Sequence, residues 1–243
     1  MEVTLYSVGP SHPGRTARLM LQHKGIEHRL VNLPPGSQPI ALRALGFGGA
    51  RVPALKIDGR RVQGSRRISR FLDELRPEPP LFPADPQRRA AVEEAERWGE
   101  SSYQPVPRRM FRWALTRDNG LRRDFAERAS MPAPGMTAPL MQPVAAVFAY
   151  ASQADDARIR SNLAALPGQL DHVDELIEEG TLGGAELNAA DFQIATTTRV
   201  MLNFAQLRPL IDGRPAGEHA MRVSPSFGRE FPIRLPGEWM PRP

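Results

Sequence analysis

The sequence predicts a mixed α/β domain followed by an all-helical one. Three observations predict it. Strand and helix signals alternate as far as residue 78, a proline-rich stretch follows, and strand signals nearly vanish beyond it. The stretch is Arg76-Pro-Glu-Pro-Pro-Leu-Phe-Pro-Ala-Asp-Pro86. Its prolines fix φ and remove amide donors, so neither a helix nor a strand runs through it. The expected division is 1–78, a linker over 79–86, and a helical domain over 87–243.

Each element has its own signal. Glu2–Tyr6 alternates, with Val3 and Leu5 on one face, as a half-buried strand does. Pro13 suits the first position of a helix and Gly25 the residue past its end, and Ala17, Met20 and Leu21 form its apolar stripe. Glu27–Val31 reads as a second strand, parallel to the first through a right-handed crossover. Ala54–Ile57 and Arg60–Val62 flank Asp58-Gly59, a two-residue hairpin signal. Ser65 is placed to cap a last helix that presents Ile68, Phe71, Leu72 and Leu75 on one face. Beyond the linker, Gln87–Glu100 is rich in helix formers, and Pro105 and Pro107 interrupt the pattern before Met110–Arg117. Shorter helices follow near 121–129 and 140–151, then a long amphipathic one over Asp155–Glu179, bent at Pro167-Gly168. From Phe192 to Gln206 the only charge is Arg199, which predicts a buried central helix, and Asn188-Ala-Ala-Asp191 before it reads as a capping box.

Composition narrows the function. The chain has 243 residues, 41% hydrophobic and 24% charged, which fits a folded core rather than disorder. No window approaches the ~18 uncharged apolar residues of a membrane span. The start, MEVTLYSVGPSHPGR, lacks the plan of a signal peptide, so a cytoplasmic location is expected. Zero cysteines exclude disulfides, thiolate metal ligands and catalysis by a thiol of the chain itself. The five histidines (12, 23, 28, 172, 219) lie at no familiar metal spacing, so no metal is expected. No Gly-x-Ser-x-Gly elbow supports a serine hydrolase. The net charge is +5, and 30 of the 32 basic residues are Arg. Residues 1–78 carry 13 basic against 6 acidic groups, a net of +7, while the remainder carries −2. That asymmetry suits a small anionic ligand at the N-terminal domain. The Arg pairs are scattered and few aromatics lie among them, which argues against nucleic acid.

Three motifs carry chemistry. Ser11-His12-Pro13-Gly14-Arg15 marks a strand running into a helix, whose N-terminal amides and partial positive charge stabilise an anion, a thiolate included. Ser7, on the same strand end, is the second candidate. Arg51-Val52-Pro53-Ala54-Leu55 sets a proline just before a strand. A cis Val52–Pro53 bond there leaves the Val52 N–H and C=O open to an extended peptide-like ligand. Val62-Gln63-Gly64-Ser65-Arg66 opens the last helix of the first domain, whose amides can hold a carboxylate.

In this order the motifs resemble the glutathione transferase superfamily, and most of all its bacterial serine-type members: a thioredoxin-like N-terminal domain followed by an all-α domain. The resemblance rests on Leu5-Tyr6-Ser7…Ser11…Arg15-Thr-Ala-Arg18, on Val52-Pro53-Ala54-Leu55…Asp58-Gly59, on Ser65…Ile68…Phe71-Leu72 and on Asn188-Ala-Ala-Asp191-Phe192. It implies that Ser11 contacts the sulfur of glutathione, and that Val52 and Pro53 pair with the cysteinyl backbone. It further implies that Ser65 holds the γ-glutamyl carboxylate and that Arg51 approaches the glycyl carboxylate. Gly64 stands where most members have Glu or Gln, with Gln63 as a partial substitute; His12 replaces a proline, and Phe47-Gly48 replaces an Asn-Pro pair. The function implied is conjugation of glutathione, or a related low-molecular-weight thiol, to an apolar electrophile in a homodimer. Tyr103, Met110 and Phe111 are the expected wall for that second substrate. The alternative is a non-catalytic member that binds a ligand or a protein.

Overall fold

A computed structural model describes residues 1–9, 11–129, 131–226, 230–232 and 235–241. The first part folds as β1 (Val3–Ser7), α1 (His12–His23), β2 (Arg29–Asn32), α2 (Gln38–Ala44), β3 (Ala54–Ile57), β4 (Arg60–Gln63) and α3 (Ser65–Leu75). The sheet order is β2-β1-β3-β4, with β1 parallel to β2 and antiparallel to β3. Asp58 and Gly59, at φ 43° and 85°, make the hairpin turn that their residue types predict. Val3, Leu5, Leu55 and Ile57 face α1 and α3. Tyr6, Leu33, Leu42, Phe47 and Ala54 form a smaller cluster on the other side, under α2.

That second cluster corrects the expectation for the first strand. β1 is buried along its whole length, because α2 covers the face that alternation assigned to solvent. α2 gave little sequence signal: it has seven residues and buries only Leu42. The second strand also begins later than expected, at Arg29.

The rest is helical: α4 (Pro86–Trp98), α5 (Pro105–Arg117), α6 (Asn119–Arg128), α7 (Pro134–Leu140), α8 (Gln142–Ala151), α9 (Asp156–Glu178), α10 (Ala189–Met201), α11 (Arg208–Ile211) and α12 (Pro215–Val223). Between α4 and α5 the chain widens into a π-helical turn over Gly99–Tyr103, where the Gln104 N–H reaches back to the Gly99 carbonyl at 2.8 Å. Pro105 has no N–H and its ring crowds the preceding turn, so the helix changes pitch there instead of stopping. α10 carries the expected capping box at Asn188 and Asp191 and is buried almost throughout, but it ends at Met201 rather than Gln206. α7, α11 and α12 had no clear sequence signal.

Buried polar contacts join the parts. Lys24, fully buried at the end of α1, donates to Asp73 at 2.9 Å and to the carbonyls of Arg76, Pro77 and Pro79 at 2.7, 3.2 and 2.6 Å. Glu96 of α4, buried, accepts from Ser69 at 2.7 Å and from Arg66 and Arg70 of α3. Thr16 of α1 and Thr196 of α10 share a buried hydrogen bond of 2.7 Å.

Candidate functional site

The candidate residues of the first domain gather at one end of the sheet because its register puts them there. β1 and β3 pair antiparallel as far as Tyr6 and Ala54, so the next residues along, Ser7 and Pro53, meet at the same edge. The Val52–Pro53 bond is cis. Among the described residues the Val52 N–H and C=O make no hydrogen bond. The adjoining Pro53 carbonyl accepts from the Gly64 N–H at 2.9 Å, which brings the start of α3 to the same edge.

Ser11 is the N-cap of α1, with its Oγ accepting from the Gly14 N–H at 3.2 Å. A hydroxyl has one proton to donate besides its acceptor lone pairs, and among the described residues no acceptor takes the Ser11 proton. Ser7 differs. Its hydroxyl donates to the Val8 carbonyl at 3.3 Å. Ser11, not Ser7, is therefore the serine with a hydrogen bond left to give. Gly14 lets the two approach: a Cβ there would sit 1.9 Å from Ser7 Oγ and 3.3 Å from Ser11 Cβ. No side chain at that position fits.

The start of α3 departs from expectation. Gly64, at φ 89°, is the N-cap, and Ser65 is the first helical residue, buried, with no side-chain cap on the helix. The Ser65 hydroxyl does not cap the helix, and among the described residues the first-turn amides of α3 have no side-chain acceptor. Gln63 turns its carboxamide to the neighbouring loop, accepting from the Gly49 N–H at 2.8 Å and donating to the carbonyls of Gly49 and Arg51 at 2.9 and 3.0 Å. It braces the segment that carries Arg51.

Across from Arg51 stand Arg108 and Arg112 of α5, one turn apart. Burial, and then Arg112 and Arg51, push the Arg108 guanidinium down to about 10. Burial and then Arg51 lower Arg112 as well. Three like charges converging there make a strongly cationic edge. Neither α5 arginine stood out in the sequence; their i,i+4 spacing was the available signal. His12 ties α1 to the same helix, its Nε2 donating to the Gln104 carbonyl at 3.3 Å. Burial, with Arg108 next, holds the imidazole down to about 3, so it is neutral near pH 7.

The expected second-substrate wall needs correction. Tyr103 and Met110 are fully buried in the core. Tyr103 hydrogen-bonds Thr198 at 2.9 Å, and burial raises its phenol. Phe111 is partly buried, its ring 5.1 Å from that of Phe231, and it is not part of the cleft lining. The cleft that opens beside Ser11 has a volume of about 420 Å³. Val52 is not in its lining, which takes in Arg15 and Arg18 of α1, Asn32 of β2, Arg128, Asn203 and Phe231. Sequence reasoning missed this lining because its residues come from α1, β2, α6 and the segments after α10.

Comparisons with known proteins bear on the fold that carries this geometry. Residues 5–80 match the family described as glutathione S-transferase, N-terminal domain. A 106-residue segment is 36% identical to maleylacetoacetate isomerase of Rattus norvegicus, covering 42% of this chain and 49% of that protein, and the Mus musculus protein matches equally. The chain thus spans about half the length of the curated relatives it matches. Among solved structures, a Sinorhizobium meliloti glutathione S-transferase aligns over 98% of both chains at 20% identity with a TM-score of 0.66. A Populus trichocarpa glutathione transferase aligns over 90% of this chain and 91% of its own at 18% identity, TM-score 0.62. Among the described residues no helix is long and apolar enough to cross a membrane.

Proposed function

We propose that this chain, which carries a glutathione S-transferase N-terminal domain on the glutathione transferase fold, binds glutathione or a related low-molecular-weight thiol and transfers its sulfur to an electrophilic small molecule. The observation that carries the reading is the unused Ser11 proton at the N-terminus of α1, on the sheet edge that also holds the open Val52 backbone. The thiol peptide lies antiparallel to Val52, and its γ-glutamyl carboxylate meets the uncapped amides of α3 beside Ser65. Its glycyl carboxylate faces Arg51, with Arg108 and Arg112 behind. Cytoplasmic residence and a homodimer belong to the same reading; sedimentation equilibrium at micromolar protein, giving twice the chain mass of 26.9 kDa, checks the second.

Ser11 acts on the sulfur as a hydrogen-bond donor. A free thiol of pKa ~8.5 is about 3% ionised at pH 7, and lowering that pKa by roughly two units takes ~2.7 kcal/mol of differential stabilisation. The gain in thiolate is partly offset by lower nucleophilicity, so holding sulfur and electrophile in register supplies most of the acceleration. With an aryl halide the sulfur–carbon bond forms, the carbon–halogen bond breaks, halide leaves with the electron pair and the thiol proton passes to solvent.

Turnover of a chlorodinitrobenzene with glutathione should be measurable and should fall at least tenfold in Ser11→Ala. Undiminished turnover in that variant rejects the role. The curated relatives' name adds an isomerase variant of the reading, in which the thiol is returned. A count of thiol consumed per product separates the two. The position of Gln63, turned away from the thiol edge, favours the non-catalytic alternative. Calorimetry decides it: millimolar glutathione that gives neither heat nor a rise in melting temperature supports that alternative.

A further inference from the structure

The cleft beside Ser11 has an unusual electrostatic character for a site that takes an apolar electrophile. Arg15 and Arg18 lie three residues apart on α1 and both line it. Among the described residues neither has a carboxylate within ion-pair distance. Arg15 reaches Ser224 Oγ at a long 3.4 Å, and the Nε of Arg18 is buried with no hydrogen-bond partner. The third arginine of the lining, Arg128, is neutralised by Asp124 at 2.7 Å. Burial, with Arg18 next, lowers the Arg15 guanidinium, which accords with two like charges crowded and partly dehydrated. Opposite them, Leu30, Val200 and Phe231 offer apolar surface, and Asn32 offers a polar contact.

We infer that the electrophile carries a carboxylate, which Arg15 and Arg18 hold while its apolar body lies against Leu30, Val200 and Phe231 and its reactive carbon faces Ser11. This deepens the transferase reading and rests on it for the reaction, but not for the binding. Two half-buried guanidiniums with no carboxylate of the described residues beside them are costly to hold together, and a bound carboxylate relieves that with charge-assisted hydrogen bonds. A neutral ligand leaves both cations unpaired. The cleft volume suits one small aromatic or branched acid.

The test uses matched pairs that differ by a carboxylate alone. For binding, calorimetry compares dinitrobenzoate with dinitrobenzene, neither of which has a leaving group. The benzoate is expected to bind at least tenfold more tightly, and Arg15→Gln and Arg18→Gln each to cut that preference at least tenfold. For turnover, a chlorodinitrobenzoate is compared with its decarboxylated parent in the presence of glutathione, each corrected for the uncatalysed rate. The same preference should appear in kcat/KM. Equal binding of the two unreactive probes by the wild-type protein, or no binding of either, overturns the inference whatever the variants do. A benzoate preference that survives in both folded arginine variants overturns it as well. If dinitrobenzoate binds as expected while no electrophile turns over, the thiol-transfer reading fails and the carboxylate site stands.

Discussion

At the scale of single residues, Ser11 has two duties that separate experimentally. Its oxygen accepts from the Gly14 N–H and caps α1, so Ser11→Ala removes a cap worth about 1 kcal/mol along with the donated proton. Asp is as good a cap and has no proton to give near pH 7. Ser11→Asp should therefore melt close to the wild-type temperature and lose turnover at least as severely as Ser11→Ala. A folded Ser11→Asp protein with intact turnover would show that donation is not the role. Gly14 is the backbone half of the same arrangement. A Cβ 1.9 Å from Ser7 Oγ and 3.1 Å from Ser7 Cβ displaces the Ser7 hydroxyl and crowds the strand end, and overpacking of this kind costs about 1–3 kcal/mol. Gly14→Ala should lower the unfolding free energy read from urea titration by that amount and weaken thiol binding together with it. His12 makes the site edge sensitive to acid. Its folded pKa, about 3, lies below the ordinary 6.5, so its contribution to stability is complete above pH 6.5 and drains away as pH falls toward 3. The slope is about 1.4 kcal/mol per pH unit inside that window. Urea titrations at pH 7 and pH 5 should show the wild type losing roughly 2 kcal/mol more than His12→Gln. Equal losses would mean that His12 is not the buried neutral group.

At the scale of elements, the contacts that fix α1 are polar and buried. Lys24 satisfies Asp73 and three carbonyls of the segment after α3, so Lys24→Met leaves a partly buried carboxylate and three unpaired acceptors. Breaking a buried charge network by removing one partner costs about 3–5 kcal/mol. Equilibrium urea unfolding should show a loss of that size; a change within about 0.5 kcal/mol, as at an ordinary surface site, would mean that the network is not coupled to folding. Nothing in the sequence marked Lys24 for this, since its partners lie some fifty residues away. The elements that were legible are those whose signal is local. Pro13 and Gly25 bracket α1, Asp58-Gly59 makes the hairpin, and Asn188 with Asp191 makes the capping box. Those that were not depend on tertiary contact. Ser65 looked like a cap because its residue type favours one, yet Gly64, at φ 89°, takes the capping position and moves Ser65 into the helix. Tyr103 and Met110 looked like a pocket wall because nothing local tells an inward face from a cleft face. The three motifs of the proposed thiol edge were visible as motifs, whereas the Arg15–Arg18 cleft was not, because the rest of its lining comes from distant segments.

At the scale of the molecule, the division read from the proline-rich stretch does not divide the core. One hydrophobic cluster runs from Leu5, Ala17, Leu21 and Leu72 through Phe82 and Val92 to Ile194, Phe204 and Val223. α1 lies between the sheet and α10, and its Thr16 is buried against Thr196. Glu96 binds α3 to α4 in the same way. If the helical part opened alone, it would expose the apolar flank of α1 and strand three buried polar groups, so neither part retains its stability without the other. The chain should therefore unfold as one cooperative unit. Native-state hydrogen exchange should give β1, β3 and α10 amides the same opening free energy, which varies with urea at one common slope. α2 is the exception, since it covers only the small cluster of Tyr6, Leu33, Leu42, Phe47 and Ala54. Its amides should exchange through a cheaper local opening with a shallow urea dependence. β1 amides that exchange well before those of α10, with α10 still protected in moderate urea, would show two independent domains and overturn the single-unit account.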